Sequence, residues 1–418
     1  MIRQKEKILV LNVHEKDIRK MNGFADFNAS QLIKCFAGGK IFYFSDSINR
    51  FGIKRTEEEI KKIVREEGAS IVFFAPNGDS YELSIEFFRG LKEEFGIKCV
   101  LWVLDDEMIF DVLTKYYSQA FDAAVTTDYY AAFAYNKLGL PALYYFSSYL
   151  KGDLYPVDIE KDIAVSFIGD CSKADREEQI SYLKDNGIDV RSFGDGTTGG
   201  FLKKEDLPLI FSRSKINLNF TRLDKAGPNS WFLEDNALTN IIRQNKGRPM
   251  EIALTRSFCL SEASPSLSSV FEEGKEIDAF RSKEELLEKV KYYLKNGTER
   301  QRLAESAYRK AISRYEADIF FPVLSDRLCE ALEKGRYLPE EKNIYKDAAF
   351  KRNHVIRLSI VMLYQLSRLR MLLAAETLVS LFRYGIIVFL VSFAKAIRIT
   401  SLKLSSKKRP VVDGTYRK

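Results

Sequence analysis

A turn between residues 165 and 176 gathers groups that suit a phosphate. Val165-Ser-Phe-Ile-Gly-Asp-Cys-Ser-Lys-Ala-Asp-Arg176 reads as a strand, a turn at Gly169, and a helix with Lys173 and Arg176 in its first turns. The free N–H groups and positive dipole end of a helix start attract an anion, and two cations add charge-assisted hydrogen bonds. The plain alternative is a strand–glycine–helix turn that binds nothing. Asn245-Lys-Gly-Arg-Pro-Met-Glu251 is a second candidate. Its carboxylate can accept two hydrogen bonds from a ribose diol, or simply favour its own helix N-terminus. Asp105-Asp-Glu107 follows a strand and offers paired carboxylates. They could hold a divalent cation on a diphosphate, act as a base, or only end a strand in water. Gly194-Asp-Gly-Thr-Thr-Gly-Gly200 has the glycines of a phosphate loop without its lysine, and reads better as a mobile loop.

The elements around these residues alternate. Ile8–Val13, Ile41–Phe44, Ile71–Ala75 and Cys99–Leu104 read as buried strands, with Phe121–Thr126 a fifth. Glu57–Glu67, Ser84–Phe95 and Tyr129–Leu138 read as helices. After a break at Pro141 to Asp158 the alternation resumes. Strands are expected at Asp162–Ile168, Val190–Phe193, Lys215–Phe220 and Ser257–Ser261. Helices are expected at Lys173–Asn186, Met250–Thr255, Ser282–Asn296 and Thr298–Glu316. This pattern predicts an α/β protein with two doubly wound, Rossmann-like domains, 1–155 and 156–340, and a cleft between them. Ligands of such sheets sit beyond the carboxyl ends of the strands.

The order of motifs from Val165 to Tyr315 resembles group 1 glycosyltransferases of the spore-maturation-protein type. The pieces are Ser166-Phe-Ile-Gly169 with Arg176, Ser214-Lys-Ile-Asn-Leu-Asn-Phe-Thr221, Lys246-Gly-Arg-Pro-Met-Glu-Ile252 and Phe258-Cys-Leu-Ser-Glu262. Phe271-Glu-Glu-Gly-Lys-Glu276, Glu284-Glu-Leu286, Tyr292-Tyr-Leu294 and Arg300 follow. The resemblance implies the GT-B fold and transfer of a sugar from a nucleotide-diphosphate donor held by the second domain. It implies Glu251 at the donor ribose, and Gly169, Lys173 and Arg176 near the diphosphate. It places Lys246, Arg248, Ser261 and Glu262 in the same pocket. Two positions depart from the family. Arg243 stands where related enzymes carry a glutamate that touches the donor sugar, so the stereochemistry is undecided. Arg256 stands where a glycine is usual. An inverting transfer would need a general base in the first domain, and His14, Asp105 and Asp106 all lie at strand ends where one belongs. Tyr129, Tyr130 and Tyr135 could stack on an acceptor sugar. Fixed cations and helix N–H groups can stabilise a leaving diphosphate without a metal, so neither a metal nor a cofactor is expected.

Composition fits this reading. The 418 residues are 46% hydrophobic and 29% charged, which excludes fibrous and disordered classes. Five scattered cysteines form no metal or disulfide pattern, and two histidines, His14 and His354, exclude a His-rich site. Charge is uneven: residues 351–418 hold 14 basic and 2 acidic groups, whereas the preceding chain is mildly acidic. Residues 351–405 are aliphatic with interleaved arginines, and the longest uncharged run, Tyr384–Ala394, is too short to span a bilayer. An amphipathic helical tail on an anionic membrane surface through residues 351–409 is expected, with 406–418 a disordered basic end. Packing on a protein partner is the other reading. Nucleic acid is not expected, since the tail is aliphatic and the body acidic. The expected protein is a cytoplasmic glycosyltransferase, peripheral on the inner face of the membrane. Its acceptor would be a cell-surface glycan or lipid-linked precursor. The alternative is a non-catalytic GT-B-like protein that binds a nucleotide or glycan within a membrane assembly.

Overall fold

The computed structural model describes residues 5–13, 24–76, 82–106, 109–171, 175–194, 196–222, 243, 245–337, 347–382 and 384–406. His14, Glu107 and Lys173 therefore lie outside the described residues, as do residues 407–418 of the expected basic end. The chain forms two compact units: Met1–Tyr145 with Phe321–Arg409, and a second whose body is Phe146–Phe320.

The first unit is built on six parallel strands: β1 (Ile8–Asn12), β2 (Gly39–Tyr43), β3 (Ile71–Ala75), β4 (Lys98–Val103), β5 (Ala123–Thr126) and β6 (Ala142–Tyr144). Their order is β2-β1-β3-β4-β5-β6. Helices α1 (Phe24–Cys35), α2 (Phe44–Phe51), α3 (Ile53–Glu67), α4 (Ile85–Phe95) and α5 (Tyr129–Lys137) connect them. Strands β1, β3 and β4 are nearly continuous apolar runs because both faces of a parallel sheet are covered. Helix α3 buries Ile60, Ile63 and Val64, and α4 starts where Ser84 accepts the Phe87 amide. The aromatic residues fill the core: Phe74 lies 4.7 Å from Phe88, which lies 4.8 Å from Phe121.

The second unit holds five parallel strands: β7 (Ile163–Ile168), β8 (Val190–Phe193), β9 (Ser214–Asn219), β10 (Cys259–Glu262) and β11 (Asp278–Phe280), ordered β11-β10-β9-β7-β8. Its helices are α6 (Arg176–Asp185), α7 (Leu207–Arg213), α8 (Arg248–Leu254), α9 (Lys283–Lys295) and α10 (Gly297–Arg314). Strand order reverses between β7 and β9, and a crevice opens at such a reversal beyond the carboxyl ends. Gly194, at the end of β8, is needed there: its φ is 122°, and a Cβ would meet the Gly169 carbonyl oxygen at 2.3 Å.

The last helices are α11 (Ala317–Lys334), α12 (Ala348–Ser367), α13 (Met371–Phe382) and α14 (Ile386–Ser406). Residues Phe321–Arg409 group with the first unit, whereas the sequence-based boundaries lie near 155 and 340. The tail is likewise no detached segment. Phe350, Val355 and Ile356 of α12 are buried, with Phe350 5.0 Å from Tyr116. Glu376 accepts the Lys54 amide at 3.0 Å, so a tail carboxylate caps the start of α3. Sequence periodicity shows one apolar face per helix but not which other face covers it. The outer parts of α13 and α14 stay uncovered: Leu372 is 87% and Ile387 74% exposed. Among the described residues no helix is long and apolar enough to cross a membrane.

Candidate functional site

The second unit gathers its polar residues at the carboxyl edge of the sheet. Gly169 follows β7 and donates to the Phe193 carbonyl at 2.8 Å; a Cβ there would strike the Phe167 ring at 2.7 Å. Arg176 opens α6, with its guanidinium on the Asp170 carbonyl at 3.0 Å and 5.9 Å from the Phe167 ring. It therefore braces the loop after β7. At the ends of β9 and β10, Glu262 is buried. One carboxylate oxygen accepts the Thr221 and Arg222 amides at 2.9 and 3.1 Å and the Thr221 hydroxyl at 3.2 Å. The other faces the Arg243 Nε at 3.3 Å and the Arg222 Nε at 3.9 Å. Arg222 also pairs with Asp175 at 2.6 Å. Of these, Glu262, Arg222 and Asp175 border a cavity of about 300 Å³ that also takes in Gln179 and Arg281.

Ser261 is fully buried. It accepts from Asn219 Nδ2 at 2.8 Å and donates to the Glu262 carbonyl at 3.0 Å, so it holds strand ends together rather than facing a ligand. Asn219 also reaches Asn245 at 3.1 Å, which ties β9 to the segment entering α8. Pro249 in the first turn of α8 uses the helix position where no N–H is needed. Arg248 pairs with Glu251 one turn on, and its guanidinium lies 5.6 Å from the Phe211 ring. Glu251 is half-buried and accepts the Tyr149 hydroxyl at 3.2 Å. A Cβ at Gly247 would fall 2.3 Å from that hydroxyl oxygen, so a side chain there would push the phenol aside. Lys246 is exposed beside it. Glu251 is thus held with one oxygen on a cation and one on a phenol. A carboxylate so oriented can take a diol by exchanging one of these partners.

Sequence reasoning missed Tyr149, Asn219 and Arg222. Asn219 and Thr221 stand in the quoted motif, but Tyr149 falls in the break between domains, where no pattern points to it. The Gly194–Gly200 segment closes on itself: Gly194 and Gly199 donate to the Gly200 and Ser192 carbonyls, and Thr197 to that of Gly194. These three donors are bonded to carbonyls of the segment and of β8, and Asp195 lies outside the described residues.

In the first unit the structure separates the two candidate aspartates. Asp105 is half-buried, takes φ 58°, and its amide donates to the Thr127 hydroxyl at 3.1 Å. That left-handed conformation costs a non-glycine residue about 1–2 kcal/mol. Asp106 is fully buried, and its carboxylate accepts the hydroxyls of Thr114 (2.6 Å), Tyr135 (2.7 Å) and Thr126 (3.1 Å). Burial, reinforced by the Asp128 charge, pushes its pKa up to about 7. Asp106 therefore cannot meet an acceptor as a base, and Tyr135, buried against it, cannot stack on a sugar; Tyr130 is well exposed. Among the described residues no group of His, Cys, Asp and Glu could hold a metal ion.

Known proteins resemble this architecture. HepE from Anabaena, solved in complex with UDP-glucose, superposes with a TM-score of 0.54 at 10% identity, over 78% of this chain and 99% of its own. Sucrose-phosphate synthase from Thermosynechococcus elongatus gives 0.53 at 9% identity, over 79% and 100%. A glycosyltransferase from Rickettsia africae gives 0.53 at 10%, over 79% and 99%. No curated protein matches the sequence. The two parallel-sheet units have the GT-B fold, and residues 176–318, about a third of the chain, match the model of the glycosyl transferase-like family.

Proposed function

We propose that the protein transfers a sugar from a nucleotide-diphosphate donor to a cell-surface glycan or lipid-linked acceptor, without a resident metal. The observation that carries this is the coincidence of the family match, residues 176–318, with the polar carboxyl edge of the second sheet. In this reading Glu251 receives the ribose diol and Arg176, at the start of α6, lies near the diphosphate; Lys173, outside the described residues, is its proposed companion. Charge that develops on the leaving group meets fixed cations and helix N–H groups in place. HepE, bound to UDP-glucose, supports a uridine nucleotide as the first to try. His14 and Asp105 are the remaining candidates for the acceptor-side base.

The membrane belongs to the same proposal. The uncovered residues of α13 and α14 stand among Arg368, Arg370, Lys395 and Arg398, a pattern suited to an anionic interface at about 1 kcal/mol per nearby cation. The test is a thermal-shift series on the full chain, since the tail is part of the first unit. A nucleotide at 100 times its dissociation constant should stabilise by about 2.7 kcal/mol. The shift should vanish in Glu251→Ala; a shift retained there refutes the site. One observation favours the non-catalytic alternative. Arg243, where related enzymes carry a glutamate, is occupied by an ion pair with Glu262. Donor binding without hydrolysis or transfer would decide for it.

A further inference from the structure

The second sheet has another edge. At the amino ends of its strands, opposite the residues above, lies a cavity of about 700 Å³. Three neighbouring strands each bring a cation to it. Lys161 lies two residues before β7, Lys215 is the second residue of β9, and Arg256 lies three residues before β10. Arg300, in the first turns of α10, is the fourth. One carboxylate, Asp158, stands among the described lining residues. A six-residue strand is roughly 20 Å long, so this edge is separate from the carboxyl edge.

The cations are poorly compensated. Lys161 donates to the Ser212 and Ser214 carbonyls at 2.8 and 3.2 Å, and Arg300 to the Tyr293 carbonyl. These partners are neutral. Among the described residues Lys161, Lys215 and Arg300 form no ion pair, whereas Arg256 pairs with Glu305. Burial, and then the charge of Arg300, hold the Lys161 pKa below its ordinary value. Like charges crowded in a concave site focus a positive potential on it. The start of α10 adds to that field. Asn296 turns its side chain back to the Tyr292 carbonyl at 2.7 Å and makes no cap bond, which leaves first-turn N–H groups for another acceptor. Arg256 takes φ 54°, a conformation that favours glycine, and so places a cation where glycine would leave a gap.

We propose that this amino-edge cavity binds a small phosphate-bearing molecule, its phosphate held by Lys161, Lys215, Arg300 and the first-turn amides of α10. The volume suits a phosphorylated metabolite rather than a bare ion. The proposal is independent of the donor reading.

Inorganic pyrophosphate titrated calorimetrically into the full chain is the probe. Lys215→Gln removes a charge without removing a hydrogen bond that holds the fold, and should weaken one binding event severalfold. Lys161→Gln with Arg300→Gln should weaken it at least tenfold. Arg176→Gln, at the other edge, should leave that event unchanged, whatever it does to a second one at the carboxyl edge. No pyrophosphate binding, or binding unchanged in the Lys215 variant, overturns the proposal. Loss in Arg176→Gln with retention in Lys215→Gln assigns the anion to the carboxyl edge and overturns it as well.

Discussion

Replacing Asp106 by asparagine tests whether this residue is a buried structural acid. Its pKa is raised from 3.8 to about 7, chiefly by burial. The folded protein keeps the proton up to about pH 7, while the unfolded chain loses it near pH 4. This group's contribution to stability is therefore fully present below pH 4 and is lost as the pH rises through 7. Between those limits the folded state binds one more proton, and each pH unit is worth about 1.4 kcal/mol, or about 4 kcal/mol in total. The asparagine amide cannot titrate, so the difference between the two proteins isolates the effect. Glu82, also raised to about 7 by burial, cancels from that difference. The assay is urea denaturation followed by Trp102 fluorescence. Trp102 lies on β4 of the same unit and is buried. The only other tryptophan, Trp231, is replaced by phenylalanine in both proteins. Asp106→Asn should gain about 1.4 kcal/mol per pH unit relative to the parent from pH 5 to pH 7, then level off. A constant difference across that range would refute the burial argument. Loss of the proposed sugar transfer with that constant difference would return Asp106 to the role of base.

His354 should respond in the opposite sense. It is buried beside Phe350, Tyr117 and Tyr384, its Nδ1 has no hydrogen-bond partner among the described residues, and burial lowers its pKa to about 4. Its neutral form is favoured in the fold, so stability is lost as pH falls from about 6.5 to 4, by about 3 kcal/mol. His354→Phe should abolish that loss, as read by denaturation at pH 4.5 and 7. Glu262→Gln removes the charge shared by two arginines and two amides, and should cost about 2 kcal/mol, since both arginines are partly solvated. Hydrogen exchange of the Leu218–Arg222 amides should accelerate accordingly; unchanged protection would show that Glu262 is not their anchor. Vesicles of anionic lipid should float with the full chain but not with Leu372→Asp/Ile387→Asp. Flotation of both would leave the uncovered faces of α13 and α14 without a role at the membrane.

The parallel architecture was legible because its physics is local. A strand covered on both faces must be apolar throughout, and Ile71–Ala75 carries that signature at the observed boundaries. Val190–Phe193 lies at the sheet's edge, where an exposed Arg191 is tolerated between buried neighbours, and its bounds were legible too. Elements whose pattern depends on distant partners were not legible. Asp278–Phe280 is three residues long, and Ala142–Tyr144 lies inside a segment read as a break. Asp106 looked like a strand-end carboxylate; that three hydroxyls from later elements close over it is not written in residues 105–107. The tail showed an apolar face but not its cover, which depends on Tyr116 and the start of α3, more than two hundred residues away.

Arg243 and Arg256, where the resemblance leads one to expect a glutamate and a glycine, carry the most physical information. A glutamate at 243 would oppose Glu262, which is buried and already claimed by three hydrogen bonds. Arginine there faces it at 3.3 Å, beside Arg222 at 3.9 Å, so the cation at 243 is matched to the buried charge of Glu262. Arginine at 256 works at the opposite edge. It keeps the left-handed turn that ends α8, which glycine would adopt at less cost, and sets a cation at the amino ends of β9 and β10. A turn selected only for its geometry has no use for that cation. Arg256→Gly should therefore stabilise the turn slightly while weakening pyrophosphate binding at the amino edge. The opposite pair of results would mean that Arg256 is kept for its pairing with Glu305, and that the charge in the cavity is incidental.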